Sequence, residues 1–154
     1  VKKDYPYVKF EIVGGSEEDY EKEIDSLVEE DIIKYHGQQN DVHSFIKNSH
    51  ATILPSYHEG MANVLLESAS SGRPVLASNI PGCIETFDEG KTSFGFEAKN
   101  VNSLVSAIVK FINLPHEKKE SMGVLAREKM ENEFDRNIVI NAYLEEIKSI
   151  FDKE

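Results

Sequence analysis

The sequence lacks features on which several classes of protein depend. It has one cysteine and no tryptophan in 154 residues, and no apolar run approaches the roughly 20 residues of a membrane-spanning helix. The single Cys83 cannot form an intramolecular disulfide, and no basic start followed by an apolar stretch marks a secretory signal. We therefore expect a cytoplasmic protein from a reducing compartment. With 40% apolar and 29% charged residues, the composition is that of an ordinary globular domain.

Basic residues are also scarce. Lys and Arg number 17 against 28 Asp and Glu, and the net charge of −11 argues against the basic surface with which nucleic-acid binders neutralise phosphates. Nine of the acids fall within residues 17–31, where Tyr20, Ile24 and Leu27 share one face of a helix. This segment is expected to be a solvated acidic helix that starts at Ser16.

Metal, cofactor and nucleophile motifs are missing as well. His36 and His43 flank a turn without the spacing or the cysteines of a zinc site, so we expect them to be structural or solvated, with no metal and no cofactor. No serine lies in a G-x-S-x-G elbow, and Cys83 has no catalytic neighbours in the sequence. The Gly14-Gly15 pair is not a G-x-G-x-x-G fingerprint, which argues against a bound dinucleotide.

Short apolar runs alternate with helical patterns over the first 100 residues. Because parallel strands need helical crossovers, this alternation predicts an α/β fold, a Rossmann-like doubly wound parallel sheet of about five strands. From Asn100 only helical stripes follow, at 101–112 and 140–151, with Pro115 opening a helix between them; these are expected to pack on the sheet or on a partner domain. The predicted strands are 8–13, 32–36, 51–54, 74–78 and 93–97, and the predicted helices among them include 41–48 and 61–71.

The stretch 55–74 carries the most informative pattern. Glu59 and Glu67 lie eight residues apart, with Gly60 between a strand end and a helix that starts near Met61. In a parallel sheet this is the carboxyl edge, where ligands bind, and the unpaired N–H groups of a helix start suit a diphosphate. Glu67, two turns further, could accept hydrogen bonds from two vicinal sugar hydroxyls. The spacing alone leaves a plainer interpretation open, in which Glu59 caps the helix and Glu67 is solvated.

The surrounding residues resemble a known signature. The run EGMANVLLE at 59–67, followed by GRPV at 72–75, resembles the Glu-x7-Glu signature of glycosyltransferase family 4, whose members are retaining enzymes of GT-B fold. The resemblance covers essentially the whole chain. Further landmarks of the family have counterparts in IVGG at 12–15, NIPG at 79–82, Glu85 and Phe134.

The resemblance implies a place in a larger enzyme. Members have two Rossmann-like domains facing a cleft, and residues 1–154 resemble most of the C-terminal, donor-binding domain. The N-terminal acceptor domain has no counterpart here, nor has the first strand-helix unit of the C-terminal domain with its G-R-x-x-x-x-K-G element. Residues 1–6 read like the end of a helix from that unit. We therefore expect this chain to be inactive alone.

The resemblance also implies roles for residues. Glu59 would be the catalytic residue that touches hydroxyls of the transferred sugar, and Glu67 would hold the ribose diol. No metal or other cofactor is implied. The other substrate-binding positions would be Gly14 and Gly15 near the phosphates, Tyr35 and Gly37 beside the base, His58 at the pocket, and Gly60, Met61, Ala62, Asn63 and Val64 at the helix start.

The implied function is transfer of a sugar from a nucleoside-diphosphate sugar to a glycan or lipid-linked acceptor in bacterial-type polysaccharide synthesis. A lipid-linked acceptor would bring the complete enzyme to the inner membrane surface. Two alternatives stay open. One is a GT-B nucleotide-sugar epimerase, which is not expected to carry the Glu-x7-Glu block; the other is a non-catalytic nucleotide-sugar-binding module.

The resemblance implies that the sheet lacks its central strand. The family's strand order is 3-2-1-4-5-6 and the absent unit supplies strand 1, so the strands at 8–13 and 51–54 would each lack a neighbour. They are expected either to pair directly, which closes the sheet within one chain, or to pair with a second chain. We favour closure, because the crossover between them already passes over the gap.

Overall fold

The chain forms two compact units, Val1–Phe45 and Ile46–Glu154. The computed structural model describes residues 1–16 and 20–151. All five predicted strands are present, each shorter than its prediction. Residues 17–19, which belong to the predicted acidic helix, lie outside the described residues.

The first unit is a two-stranded parallel sheet with one helical crossover. Strand β1 (Phe10–Ile12) pairs with β2 (Ile33–Tyr35), and helix α1 (Glu21–Glu29) connects them. Helix α1 has Tyr20 as its N-cap, and the predicted start at Ser16 stays a prediction because the residues that would test it, 17–19, lie outside the described ranges. The side chains of Ile24 and Leu27 on this helix are half-buried while its acids are exposed, as predicted for a solvated acidic helix.

The second unit is built on a three-stranded parallel sheet in the order β3-β4-β5. A short helix, α2 (His43–Asn48), runs across the division between the units. A 3-10 turn at Ile84–Thr86 follows β4, and the sequence had not predicted it. The remaining elements are β3 (Thr52–Leu54), α3 (Asn63–Ser70), β4 (Val75–Ser78), β5 (Phe94–Phe96), α4 (Val101–Ile112), α5 (His116–Glu133) and α6 (Arg136–Phe151).

The strand pairing confirms the predicted α/β class and corrects one detail. All three ladders are parallel, and helices connect β1 to β2 and β3 to β4. The predicted closure between residues 8–13 and 51–54 is wrong, because among the described residues β1 pairs with β2 alone and β3 with β4 alone. Each of these strands is hydrogen-bonded to the strand that follows it after one helical crossover. Direct pairing between them would have required the short helices to repack. Pairing with a second chain stays a prediction.

Residues 1–6, predicted as a helix end, form turns, and the amides of Asp4 and Tyr5 both donate to the carbonyl of Val1. Bonds to a carbonyl three and four residues back are those of a last helical turn, in keeping with the prediction.

Helix α3 packs on the sheet through an apolar cluster. Leu65 of this helix is fully buried, and strand β4 beneath it is buried along its whole length. The Ser68 hydroxyl, also buried, donates a 2.7 Å hydrogen bond to Oγ1 of Thr52 and so joins α3 to β3. The buried members of the cluster are Ala62, Leu65, Val75, Ala77, Cys83 and Phe87.

Helix α5 covers α3 at short range. Ala69, Ala126 and Met130 form their apolar contact. At the end of α3, Gly72 takes a left-handed φ of +68°, and a Cβ on Gly123 of α5 would overlap the Gly72 carbonyl oxygen. The two backbones therefore touch directly, which only a residue without a side chain permits.

A largely buried lysine ties α5 to the loop after the 3-10 turn. The Lys129 Nζ lies 3.2 Å from Oδ1 of Asp88 and 2.7 Å from Oε2 of Glu133, with only 10% of its side chain exposed. Burial lowers the pKa of Lys129, but its hydrogen bonds to Glu133 and Asp88 outweigh burial and raise the pKa above its ordinary value. The lysine therefore stays charged at neutral pH.

The C-terminal helices differ in how they pack. Helix α4 buries Ile108 and Phe111, as predicted for a helix on the sheet. Helix α6 has no buried residue, and Tyr143, Leu144 and Phe151 of its apolar stripe are exposed. For α6, packing on the sheet is therefore wrong and packing on a partner domain stays a prediction. None of the helices in the described ranges combines the length and apolarity of a membrane span.

Replacing Gly123 by alanine is expected to destabilise the second unit, because the added methyl group forces α5 away from α3. Overpacking of this kind costs about 1–3 kcal/mol, against which alanine regains up to about 1 kcal/mol of helix propensity. Urea denaturation followed by circular dichroism measures the free energy of unfolding. Ser121→Ala, on an exposed position of the same helix, is the control. If Gly123→Ala were as stable as the control, the two backbones would not be in direct contact.

Candidate functional site

In the first unit, the glycines and the tyrosine singled out by sequence meet at the carboxyl ends of β1 and β2. The Gly14 amide donates to the Gly37 carbonyl at 2.9 Å, and the Tyr35 hydroxyl donates to the Gly14 carbonyl at 3.0 Å. Gly14 and Gly37 have φ values of +137° and +64°, and a Cβ added at either would meet no atom within 4 Å. The backbone here is thus open to a ligand and takes conformations that favour glycine.

A cavity of about 410 Å³ opens beside this edge of the first unit. Its walls are mostly apolar and come from α1 and the two strands, with Ile24, Leu27 and Ile33 among them. Gly15 and Tyr35 also line it, so two of the predicted positions border one concave surface.

His36 is engaged within the first unit. Its Nε2 lies 2.8 Å from Oε2 of Glu11, and its ring meets that of Phe45 edge-on with centroids 4.7 Å apart. These contacts confirm the structural role expected for His36.

In the second unit, Glu59 lies in the loop between β3 and α3. Its Oε1 accepts a 2.7 Å hydrogen bond from the Ser56 hydroxyl, and its side chain is half-buried. The N-cap of α3 is Ala62, so the alternative in which Glu59 caps the helix is wrong. Sequence reasoning missed Ser56, for which the only signal was the Ser-x-x-Glu spacing in a loop.

The two residues before Glu59 are both exposed. The Tyr57 ring lies under the Lys99 ammonium, with 5.1 Å between Nζ and the ring centroid. His58 is accessible to a ligand at this edge of the sheet.

The backbone amides at the start of α3 divide into used and unused donors. Ala62 donates to the Gly82 carbonyl at 3.0 Å, and Asn63 turns back onto the Met61 carbonyl at 3.0 Å. This differs from the expectation that both amides face a ligand, because internal acceptors already satisfy them and Ala62 is only 2% exposed. The amides without an acceptor among the described residues are those of Gly60, Met61 and Val64.

Glu67 lies on the exposed side of α3. Its carboxylate accepts no hydrogen bond from any described residue, whereas its backbone carbonyl is satisfied by the amide and hydroxyl of Ser71. The carboxylate is therefore free to accept hydrogen bonds from a ligand.

The turn after β4 carries Gly82 and Glu85. The sequence analysis found both as landmarks of the resemblance but predicted no role for either. The Gly82 amide donates to Oε2 of Glu85 at 2.9 Å, and Cys83 beside it is fully buried. Burial raises the pKa of the Cys83 thiol, and the charges of Glu59 and Glu85 raise it further. The thiol is therefore protonated at neutral pH and shielded from reagents.

The second unit thus offers unused amide donors at the start of α3, with one carboxylate in the loop before the helix and another about one turn along it. Carboxylates accept hydrogen bonds from hydroxyls, and the positive end of a helix with free N–H groups attracts anions. Within residues 1–16 and 20–151, no group of three or more His, Cys, Asp or Glu side chains is placed to hold a metal ion. The arrangement suits a ligand that carries both hydroxyls and negative charge.

A family model described as "Glycosyl transferases group 1" matches residues 1–129. The chain belongs to this glycosyltransferase family. The match spans both units, so the edges of both sheets described above lie within the family's region.

Two curated relatives illustrate what this glycosyltransferase chain is similar to. The capsular polysaccharide biosynthesis glycosyltransferase CapM of Staphylococcus aureus is 31% identical over 108 residues, which are 70% of this chain and 27% of CapM. The N,N'-diacetylbacillosaminyl-diphospho-undecaprenol alpha-1,3-N-acetylgalactosaminyltransferase of Campylobacter jejuni is 26% identical over 137 residues, 88% of this chain and 35% of that enzyme. The glycosyltransferase chain therefore spans about a third of the length of these relatives.

A solved structure gives the same fold. HepE of Anabaena, crystallised in complex with UDP, superimposes with a TM-score of 0.82 at 20% identity, covering 94% of this glycosyltransferase chain and 42% of HepE. This likeness confirms the predicted Rossmann-like architecture of GT-B glycosyltransferases.

The buried Cys83 gives this site a chemical test. Burial shields the native thiol and its raised pKa leaves less thiolate at any given pH, so it should react with a thiol-specific chromogenic reagent at mildly alkaline pH more slowly than the thiol of the unfolded chain. Absorbance measures the rate, and the urea-unfolded chain serves as the reference. Equally fast reaction of the native and unfolded chains would contradict the burial of the turn after β4.

Proposed function

We propose that residues 1–154 form most of the C-terminal, donor-binding domain of a retaining family 4 glycosyltransferase. The complete enzyme transfers a sugar from a nucleoside-diphosphate sugar to a glycan or lipid-linked acceptor in bacterial polysaccharide synthesis. One observation carries the proposal: the start of α3 has no side-chain cap and leaves the amides of Gly60, Met61 and Val64 unused, close in sequence to the carboxylates of Glu59 and Glu67.

The unused amides are the proposed contact to the diphosphate. Transfer of the sugar breaks its bond to the diphosphate, so negative charge develops on the leaving oxygen. Fixed N–H donors and the positive end of α3 stabilise that charge without having to reorganise during the reaction. In this proposal the N–H groups and the positive end of α3 stabilise the leaving diphosphate without a metal ion.

Each of the two carboxylates is proposed to contact a different sugar ring of the donor. Glu59, which the Ser56 hydroxyl orients, is the proposed contact to hydroxyls of the transferred sugar at the helix start. Glu67, about one turn into α3 and with a free carboxylate, is the proposed partner of the ribose diol. A carboxylate suits a diol because its two oxygens accept two hydrogen bonds at once.

The resemblance assigns four further donor contacts to residues of the first unit. Gly14 and Gly15 allow close approach of the phosphates, because an added Cβ would meet open space at both. Tyr35 and Gly37 border the base beside the apolar cavity of that unit. In the second unit, the exposed His58 lines the sugar pocket.

The names of similar proteins support the substrate classes. HepE was crystallised with UDP-glucose, which is a nucleoside-diphosphate sugar like the proposed donor. It was also crystallised with UDP, the nucleotide that remains when such a donor has lost its sugar. The Campylobacter jejuni relative is named for a diphospho-undecaprenol substrate, which is a lipid-linked acceptor. An acceptor of that kind would hold the complete enzyme at the inner face of the membrane, in the cytoplasm.

The acceptor-binding domain is proposed to lie in the part of the enzyme that this chain does not include. The curated relatives are about three times longer than the matched region, which leaves room for it. The exposed apolar stripe of α6 is a surface that could contact such a domain, whereas β1 and β3, each paired with a single strand among the described residues, fit the absent strand-helix unit of the C-terminal domain.

The 154-residue chain alone is expected to transfer no sugar, because the acceptor site and the basic diphosphate contacts of the resemblance have no counterpart in it. An assay with UDP-sugars and lipid or glycan acceptors measures this, with the complete enzyme as the positive control. Turnover by the isolated chain would contradict the division of roles between two domains.

Glu67→Ala in the complete enzyme is expected to weaken donor binding about ten- to a hundredfold, because a charge-assisted hydrogen bond contributes about 1.5–3 kcal/mol. Glu67→Gln should be milder, since it keeps one acceptor oxygen. Titration calorimetry with UDP-sugars and the donor KM measure the effect.

Glu128→Ala, at an exposed glutamate of α5, is the matched control and should bind the donor normally. An unchanged donor KM and turnover in Glu67→Ala would refute the ribose role. Tight donor binding without transfer by the complete enzyme would favour a non-catalytic binding module, and interconversion of free nucleotide sugars would favour an epimerase.

A further inference from the structure

The backbone of Gly82 lies against the segment that carries Glu59. A Cβ built on Gly82 would come 2.7 Å from the Glu59 carbonyl oxygen and 2.8 Å from the Gly60 carbonyl oxygen, closer than real side chains approach. Gly82 also has a φ of +86°, in the left-handed region that favours glycine. The turn after β4 and the Glu59 loop are therefore in direct backbone contact.

Two hydrogen bonds fix this contact in orientation. The Gly82 carbonyl accepts from the Ala62 amide at 3.0 Å, which satisfies the N-cap residue of α3. The Gly82 amide donates to Oε2 of Glu85 at 2.9 Å. Both polar groups of the Gly82 backbone are thus committed, one to the helix start and one to Glu85.

The turn is itself anchored in the core. Cys83, next to Gly82, is fully buried in the same apolar cluster as Ala62. The amides of Cys83 and Ile84 both donate to the Ile80 carbonyl at 3.1 Å, which closes the turn directly after the buried strand β4. Any displacement of Gly82 would therefore have to move the core as well.

We propose that Gly82 and Glu85 are positioning residues for Glu59 and for the unused amides that follow it. The turn replaces a side-chain cap: it holds α3 through Ala62 and leaves the neighbouring amides without a partner. It also fixes the distance of the Glu59–Gly60 backbone from β4. This inference rests on the proposed function for what Glu59 contacts, but the positioning itself is independent of any ligand.

Gly82→Ala tests the positioning in the 154-residue chain. The matched control is Gly90→Ala, because Gly90 has a similar φ of +71° while its nearest neighbour, a Phe94 ring atom, lies 4.0 Å away. Hydrogen exchange measured by NMR reports the protection of the Ala62 amide. Gly82→Ala should lose at least about fivefold more protection than the control, the equivalent of one backbone hydrogen bond.

Two variants at Glu85 add no steric clash and keep the test valid should Gly82→Ala fail to fold. Glu85→Ala removes the acceptor for the Gly82 amide and should lower the protection of both Gly82 and Ala62. Glu85→Gln keeps an acceptor oxygen and should restore the protection. The proposal would be overturned if Glu85→Ala left the protection of the Ala62 amide unchanged. It would also be overturned if that protection were equal in Gly82→Ala and Gly90→Ala.

A ligand titration separates positioning from general loss of stability. UDP and UDP-glucose are the probes, and NMR detects weak binding of either. Glu59 is assigned to the transferred sugar and Glu67 to the ribose. Gly82→Ala should therefore weaken the binding of UDP-glucose several-fold more than the binding of UDP. Equal weakening of both probes would overturn the specific effect on Glu59. If the complete enzyme bound neither probe, the proposed function would fail, while hydrogen exchange would still decide the positioning.

Discussion

The second unit depends on how helix α3 is held. Its inner face is buried on β4 through Leu65, and its other packed face meets α5 through Ala69. A helix fixed from two sides has little freedom to rotate or slide, because packed interiors resist small displacements. Glu59 lies just before this helix and Glu67 lies on it, so the packing sets the spacing of the two carboxylates.

Sequence patterns predicted the class of fold because the relevant signals are local. Alternation of short apolar runs with helical stripes indicates crossovers, and parallel strands follow from crossovers. Strand β4 was found from the run at 74–78 because a strand buried on both faces is apolar throughout. The helix beginning after Pro115 was found because proline suits the start of a helix.

Other features could not be predicted, because they depend on contacts between distant parts of the chain. Nothing near Ala62 in sequence shows that its amide is satisfied by Gly82, twenty residues away. The closure of the sheet was predicted from the unpaired strand edges and from a crossover that passes over the gap, and neither shows whether the crossover helices can repack. The Ser56 hydroxyl was missed because a serine in a loop has many uses, and only the coordinates show its bond to Glu59.

The backbone contact between Gly72 and Gly123 makes the evolution of these two positions interdependent. Neither residue has a side chain that could shrink or change rotamer to absorb a neighbour's substitution, so the separation of α3 and α5 is set by main-chain atoms. A larger residue at position 123 would be tolerated only together with changes elsewhere along the helix pair. Effects of substitutions there should therefore combine non-additively, as they do for residues in contact.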